Sequence, residues 1–216
     1  MTMHHASHSH IASRGGHVIH WATAYDLFLE RISRLSDARV IAIAGIRPGD
    51  TVLDVGCGPG SLTRAAQRAA GAHGAAYGID PAPEMVARAQ RNARRAGSTA
   101  RFQASGIEAL PFPDGMFDLA MGRLMFHHLS DEQKRAGLRE IRRVLKPGGM
   151  FLTVDAEIAP HGLVGRLLAH SSAAPMSHIS IAEYASMYAE AGYADIRSGP
   201  TGARFLAYVS GRSPGA

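Results

Sequence analysis

The sequence predicts an α/β domain: a seven-stranded, mostly parallel sheet with helices on both faces and an antiparallel strand at its C-terminal end. Three observations lead there. Short apolar, β-branched runs alternate with helix-period segments from residue 51 onward, a pattern that repeats until two strand segments close it. The first strand, Thr51-Val52-Leu53-Asp54-Val55, runs directly into Gly56-Cys57-Gly58-Pro59-Gly60 and then into a helix opening at Ser61. A length of 216 residues, 46% hydrophobic and 19% charged, is enough to bury one such core.

The same composition excludes several classes. No apolar run reaches the roughly 18 residues that a membrane span needs, and the N-terminus has no signal-peptide core. Cys57 is the single cysteine, so no disulfide forms within the chain and a cytoplasmic protein is expected. The net charge of +5 raises the question of nucleic acid. Its basic residues, such as Arg88, Arg91 and Arg95 or Arg135, Arg139 and Arg142, lie at helical spacing without interleaved aromatics, which reads as solvated helix faces.

Residues 1–16 are polar and histidine-rich and read as a mobile tail; His4, His5, His8 and His10 lack a second ligand cluster that would make them a metal site. Residues 17–216 form one domain. Within it, residues 17–44 carry Trp21, Tyr25, Phe28, Leu29, Ile32 and Leu35 at helical spacing and read as a helical cap. After the strand at 51–55, a helix runs from Ser61 to Gly71, and Ala75 to Asp80 is a second strand ending on a carboxylate. Pro83 opens the next helix, where its missing N–H has no consequence. Thr99 to Gln103 is a third strand and Met116 to Gly122 a fourth, with Pro113-Asp114-Gly115 as the turn between. Ser130 and Gln133 make a capping box for a helix through Leu145. A fifth strand follows at Met150 to Asp155. The pattern weakens over 156–180, which reads as a variable lid. A helix at Ser180 to Ala191 precedes two closing strands, Ala194 to Arg197 and Arg204 to Ser210, set as an antiparallel hairpin.

The glycine-rich turn suits two ligand classes. A dinucleotide would place its pyrophosphate there and prefers G-x-G-x-x-G, but Ser61 stands where the third glycine belongs and Asp54 would repel an anion. A nucleoside with a cationic amino-acid tail fits better, with Asp54 facing positive charge and Asp80 offering one oxygen to each of two vicinal ribose hydroxyls. Asp80 also suits the role of helix N-cap.

Asp-Val-Gly-Cys-Gly-Pro-Gly at 54–60 resembles the first motif of class I S-adenosylmethionine-dependent methyltransferases. Arg143-Val144-Leu145-Lys146-Pro147-Gly148-Gly149 is similar to their helix-to-strand return, Leu110-Pro111-Phe112 to the end of their adenine segment, and Leu124-Met125-Phe126-His127-His128-Leu129 to their Leu-His-His-Leu piece. The resemblance implies a Rossmann-like fold, S-adenosylmethionine as cofactor and a small-molecule methyl acceptor. It implies cofactor contacts from Asp54, Gly56, Cys57, Gly58, Gly60, Asp80, Pro81, Met85 and Arg123, with Tyr25 of the cap reaching the cofactor carboxylate. Gly106 stands where the family carries an acidic residue for the adenine amino group, so backbone groups of Gly106 and Ile107 are expected to serve adenine. His127 is the candidate general base, and a structural histidine is the competing reading. Two alternatives stay open: a non-catalytic nucleoside-binding protein of this fold, motivated by Gly106 and the sparse lid, and a quinone C-methyltransferase, which shares the Tyr-Asp entry at Tyr25-Asp26 and the Arg143 to Gly149 return but whose typical Met-Asn pair and His-Arg-x-Trp-Lys stretch near the N-terminus are missing here.

Overall fold

The computed structural model describes residues 37–157, 181–203 and 206–215. The expectations for the tail, for the cap up to residue 36 with Tyr25, and for the lid over 158–180 lie outside these residues. Helix α1 is described over 37–44. Strands β1 (Thr51–Val55), β2 (Ala75–Asp80) and β3 (Arg101–Ala104) alternate with helices α2 (Ser61–Ala70) and α3 (Pro83–Arg95). Strand β4 (Phe117–Arg123) leads through a 3-10 turn at Phe126–His128 into helix α4 (Asp131–Val144) and strand β5 (Leu145–Ala156). Helix α5 (Ile181–Glu190) precedes β6 (Ala194–Pro200) and β7 (Leu206–Arg212).

The seven strands lie in the order β3-β2-β1-β4-β5-β7-β6. Strand β1 is parallel to β2 and β4, β2 to β3, and β4 to β5, while β7 runs antiparallel to both β5 and β6. Strand order therefore reverses between β1 and β4, and the crevice over the carboxyl ends there is where a sheet of this kind receives a ligand.

Alternate strand residues feed two cores. Leu53, Val55 and Phe151 meet Leu138 and Ile141 of α4 and Tyr184 and Tyr188 of α5 on one face. Val52, Leu152 and Val154 meet Val40 and Ala44 of α1 and Leu62 and Ala66 of α2 on the other. Helices on both faces follow from that alternation. It also fixes Asp54, two residues from Val52, on the α2 side, and Asp155, two from Thr153, on the α5 side.

The expected capping box is present: Ser130 Oγ accepts from the Gln133 backbone N–H, and the Gln133 side chain accepts from the Ser130 N–H. Strand β5 begins at Leu145, five residues earlier than the apolar run suggests. Leu145 pairs with Phe117 before a register shift, and Gly148 and Gly149 are bonded to Ser213 through backbone groups. The glycine pair thus belongs to a strand held by pairing, a non-local cause that apolar patterning does not encode.

Candidate functional site

Over the β1 to β2 crevice, Cys57 N–H donates to the Ile79 carbonyl at 2.8 Å, so strand pairing extends into the glycine turn. The three glycines then divide their work. Each has a positive φ: 70° at Gly56, 49° at Gly58 and 79° at Gly60. At Gly58 an added Cβ would meet nothing within 4 Å. At Gly56 it would lie 2.8 Å from the Met125 side chain, and at Gly60 2.7 Å from the Phe102 ring and 2.9 Å from Ala89. Only Gly58 opens to free space. The other two let the turn close on β4's exit and on the α3–β3 layer, a packing reason for glycine at these positions beside the expected ligand approach.

This makes a stability prediction. Gly60→Ala adds a left-handed penalty of about 1–2 kcal/mol to overpacking of about 1–3 kcal/mol. The melting temperature should fall by about 5–15 °C. A calorimetric scan within 2 °C of the parent would show that the Phe102 contact gives way freely.

Asp80 closes the turn. Its Oδ2 accepts the Gly58 N–H at 2.9 Å and its Oδ1 the Ala82 N–H at 3.0 Å. The helix cap position itself falls to Ala82, without a side-chain cap bond. Each Asp80 oxygen keeps a lone pair for another donor. Pro81 is exposed beside it and Met85 half-buried.

Asp54 is 1% exposed, and its Oδ2 accepts from Thr63 Oγ1 of α2 at 2.6 Å. Burial pushes its carboxyl up to about 7; Thr63 and Arg123 oppose that shift, while Asp37 and Asp80 add to it. Burial likewise raises Asp80, against the Ala82 and Gly58 N–H groups, and raises Asp37, against Arg123, Ser61 and Arg64. Three carboxylates thus surround the turn, and at each one burial outweighs the donors that oppose it. Such a place disfavours a pyrophosphate and favours a cation. Burial also pushes the Cys57 thiol far up, with Asp54 and Asp80 adding to the effect, so this cysteine is no nucleophile.

Arg123, at the carboxyl end of β4, is paired with Asp37 of α1 at 2.5 Å. This ties the cap helix to the crevice, a partnership that the sequence did not signal. Past it the chain turns through Leu124, whose φ of 53° is unusual for a non-glycine residue and which is 38% exposed at the crevice mouth. That turn carries His127 back over β5. There His127 Nδ1 lies 2.6 Å from Asp155 Oδ1, and the His127 backbone N–H donates to Asp155 Oδ2 at 3.0 Å. Asp155 is 0% exposed. His128 tilts against the His127 ring, with centroids 3.9 Å apart. Burial first and then His127 hold the His128 imidazole below its usual range, against a raising influence of Asp155.

The adenine expectation changes in detail. The Gly106 carbonyl already accepts from Ser105 Oγ at 2.9 Å, and the Ile107 side chain is buried against Gly137 of α4. A Cβ at Gly106 would sit 2.6 Å from Glu108 Oε2. The Glu108 carboxylate therefore occupies the space that a side chain at 106 would take, and Gln133 Nε2 holds its other oxygen at 2.6 Å. An acidic side chain two residues downstream thus stands beside the Gly106 backbone.

The donor set fits S-adenosylmethionine. Gly58 leaves room for close approach, Asp80 has acceptor capacity for a diol, and Asp54 is a buried carboxyl with Asp37 and Asp80 close by. Among the described residues no group of three or more histidine, cysteine or acidic side chains could hold a metal.

Comparisons with known proteins agree. The methyltransferase-domain family model matches residues 52–149. The demethylmenaquinone methyltransferase of Thermus thermophilus is 35% identical over 149 residues, covering 67% of this chain and 66% of that protein. The ubiquinone/menaquinone biosynthesis C-methyltransferase UbiE of Cupriavidus taiwanensis is 33% identical over 138 residues, covering 62% and 56%. The chain spans between about a third and two thirds of the length of the curated relatives it matches. The crystal structure of a SAM dependent methyltransferase from Aquifex aeolicus superposes with a TM-score of 0.67 at 25% identity, over 85% of this chain and 97% of that one. Glycine turn, paired acidic strand ends, strand order and relatives together place the chain in the class I S-adenosylmethionine-dependent methyltransferase family.

Proposed function

We propose that the protein transfers the methyl group of S-adenosylmethionine to a small-molecule acceptor. The observation that carries this reading is the crevice around Gly58, where Asp54 and Asp80 face one turn with open space between the backbone and the ligand side. Asp54 takes the ammonium end, directly or through water, and the N-terminus of α2 draws the carboxylate. Asp80 takes the ribose hydroxyls. The Gly106–Glu108 segment, with Pro81 and Met85, frames the adenine. Bound there, the cofactor supplies an electrophilic methyl on a sulfonium, which already leaves readily, so alignment is most of what the protein must contribute. His127 stands on the acceptor side as proton acceptor.

Asp80→Ala should weaken binding of the demethylated cofactor by about 10–100-fold, as expected for loss of a charged hydrogen-bond acceptor. Isothermal calorimetry on a variant shown to melt cooperatively measures this, and unchanged affinity would remove Asp80 from the ribose role.

A reduced quinone is the first acceptor to test, because the two quantified relatives are named as quinone methyltransferases. Three of the five basic residues of α4 are engaged in local ion pairs, Lys134 with Asp131, Arg135 with Glu190, and Arg143 with Glu140 and Asp114, which weighs against nucleic acid as acceptor. No described helix is long and apolar enough to cross a membrane. A cytoplasmic setting agrees with the single cysteine, which is free and buried.

A further inference from the structure

The carboxyl ends of β4 and β5 carry polar groups that the cofactor crevice does not use. Asp155 is fully buried on the α5 side of the sheet. Three groups donate to it: the His127 backbone N–H at 3.0 Å, the Ala156 N–H at 2.8 Å and, more weakly, the Tyr184 hydroxyl at 3.5 Å. Its Oδ1 also lies 2.6 Å from His127 Nδ1. A carboxylate can only accept, so the neutral ring meets it with the proton on Nδ1 and its lone pair on Nε2. The His127 side chain is 10% exposed, and His128 covers one face of its ring.

We propose that Asp155 is a positioning residue that holds His127 in the Nδ1–H tautomer, and that the pocket over β4 and β5 is therefore built for an acceptor that must surrender a proton. Such acceptors are phenolic or enolic hydroxyls and the activated ring carbons that share their acidity. The acceptor's O–H bond breaks, its electron pair stays on oxygen as the nucleophile, and the proton forms an N–H bond at His127 Nε2. Asp155 faces the positive ring that results. A neutral amine needs none of this, because it attacks with its own lone pair and releases a proton to water afterwards. A wholly buried carboxylate is costly, and an amine site would gain nothing from it. The acceptor class rests on the methyl-transfer reading; the tautomer does not.

Two-bond ¹⁵N–¹H correlation spectra of the full-length protein, with His127→Gln to assign the ring, test the first part. The expected spectrum of the neutral ring shows Nδ1 protonated and Nε2 bare, and Asp155→Asn moves the proton to Nε2. A parent spectrum with the proton on Nε2 overturns the proposal, and that measurement decides even if Asp155→Asn fails to fold. The second part is read by incubating the protein with methyl-labelled S-adenosylmethionine and a small-molecule cell extract. Labelled O-methyl or C-methyl products support it. A labelled N-methyl product overturns the acceptor class, and no labelled product overturns methyl transfer itself while leaving the tautomer result to stand alone.

Discussion

Replacing His127 with glutamine lowers methyl transfer by about 10²–10⁴-fold, the range for a positioned acid–base group, and leaves affinity for the demethylated cofactor within about twofold. Glutamine has similar reach and hydrogen-bonding capacity but cannot take up a proton at neutral pH. Asp155 keeps three other donors, the His127 and Ala156 backbone N–H groups and the Tyr184 hydroxyl, so the change does not strand a buried charge. The groups proposed for the cofactor, Asp54, Gly58 and Asp80, lie over β1 and β2, while His127 stands over β4 and β5. Binding and turnover should therefore separate. Single-turnover rates with labelled cofactor, set beside calorimetric affinities, show whether they do. A rate within threefold of the parent would make His127 a structural residue.

That separation is what the sequence could convey only in part. Thr51 to Gly60, the Ser130–Gln133 box and Asp80 at the end of β2 were legible because each is a local pattern whose meaning is set by neighbouring residues. Asp155 was visible as a strand terminus, but not as the partner of His127. Those residues stand 28 positions apart and meet only because β4 and β5 are adjacent and parallel and because Leu124 takes a left-handed turn. The Asp37–Arg123 pair spans 86 positions and is illegible for the same reason. At Gly106 the motif pointed to a missing acid, since motifs compare position with position. Space does not, and the Glu108 carboxylate lies where a side chain at 106 would begin. At Gly56 and Gly60 the spacing could not show that the missing side chain also makes room for Met125 and Phe102.

The largest pH effect should come from Asp54. Its carboxyl is raised from 3.8 to about 7, with burial as the main cause. The groups facing it are Thr63 from α2, Arg123 from β4, Asp37 from α1 and Asp80 from β2. A carboxyl that holds its proton more tightly when folded contributes stability that is complete below about pH 4 and is lost as pH rises toward about 7. At about 1.4 kcal/mol per unit, the loss amounts to about 4 kcal/mol at most. Asp54→Asn keeps an acceptor for Thr63 but has no charge to desolvate. The variant should therefore melt higher than the parent at pH 7.5, by about 5–15 °C, and the gap should close toward pH 4. The same exchange should weaken cofactor binding, because the ammonium loses its counter-charge. In the parent, cofactor affinity should rise with pH by up to about tenfold per unit below 7, as the ligand's cation draws the Asp54 proton off. Calorimetry in two buffers of different ionisation enthalpy would register that proton release directly. If Asp54→Asn melts no higher at pH 7.5 and binding releases no proton, the buried carboxylate is already charge-paired in the free protein, and the ammonium must be held elsewhere. If both effects appear, this position gives up folding stability so that a cation can restore it, as expected of a carboxylate retained on a buried strand for binding.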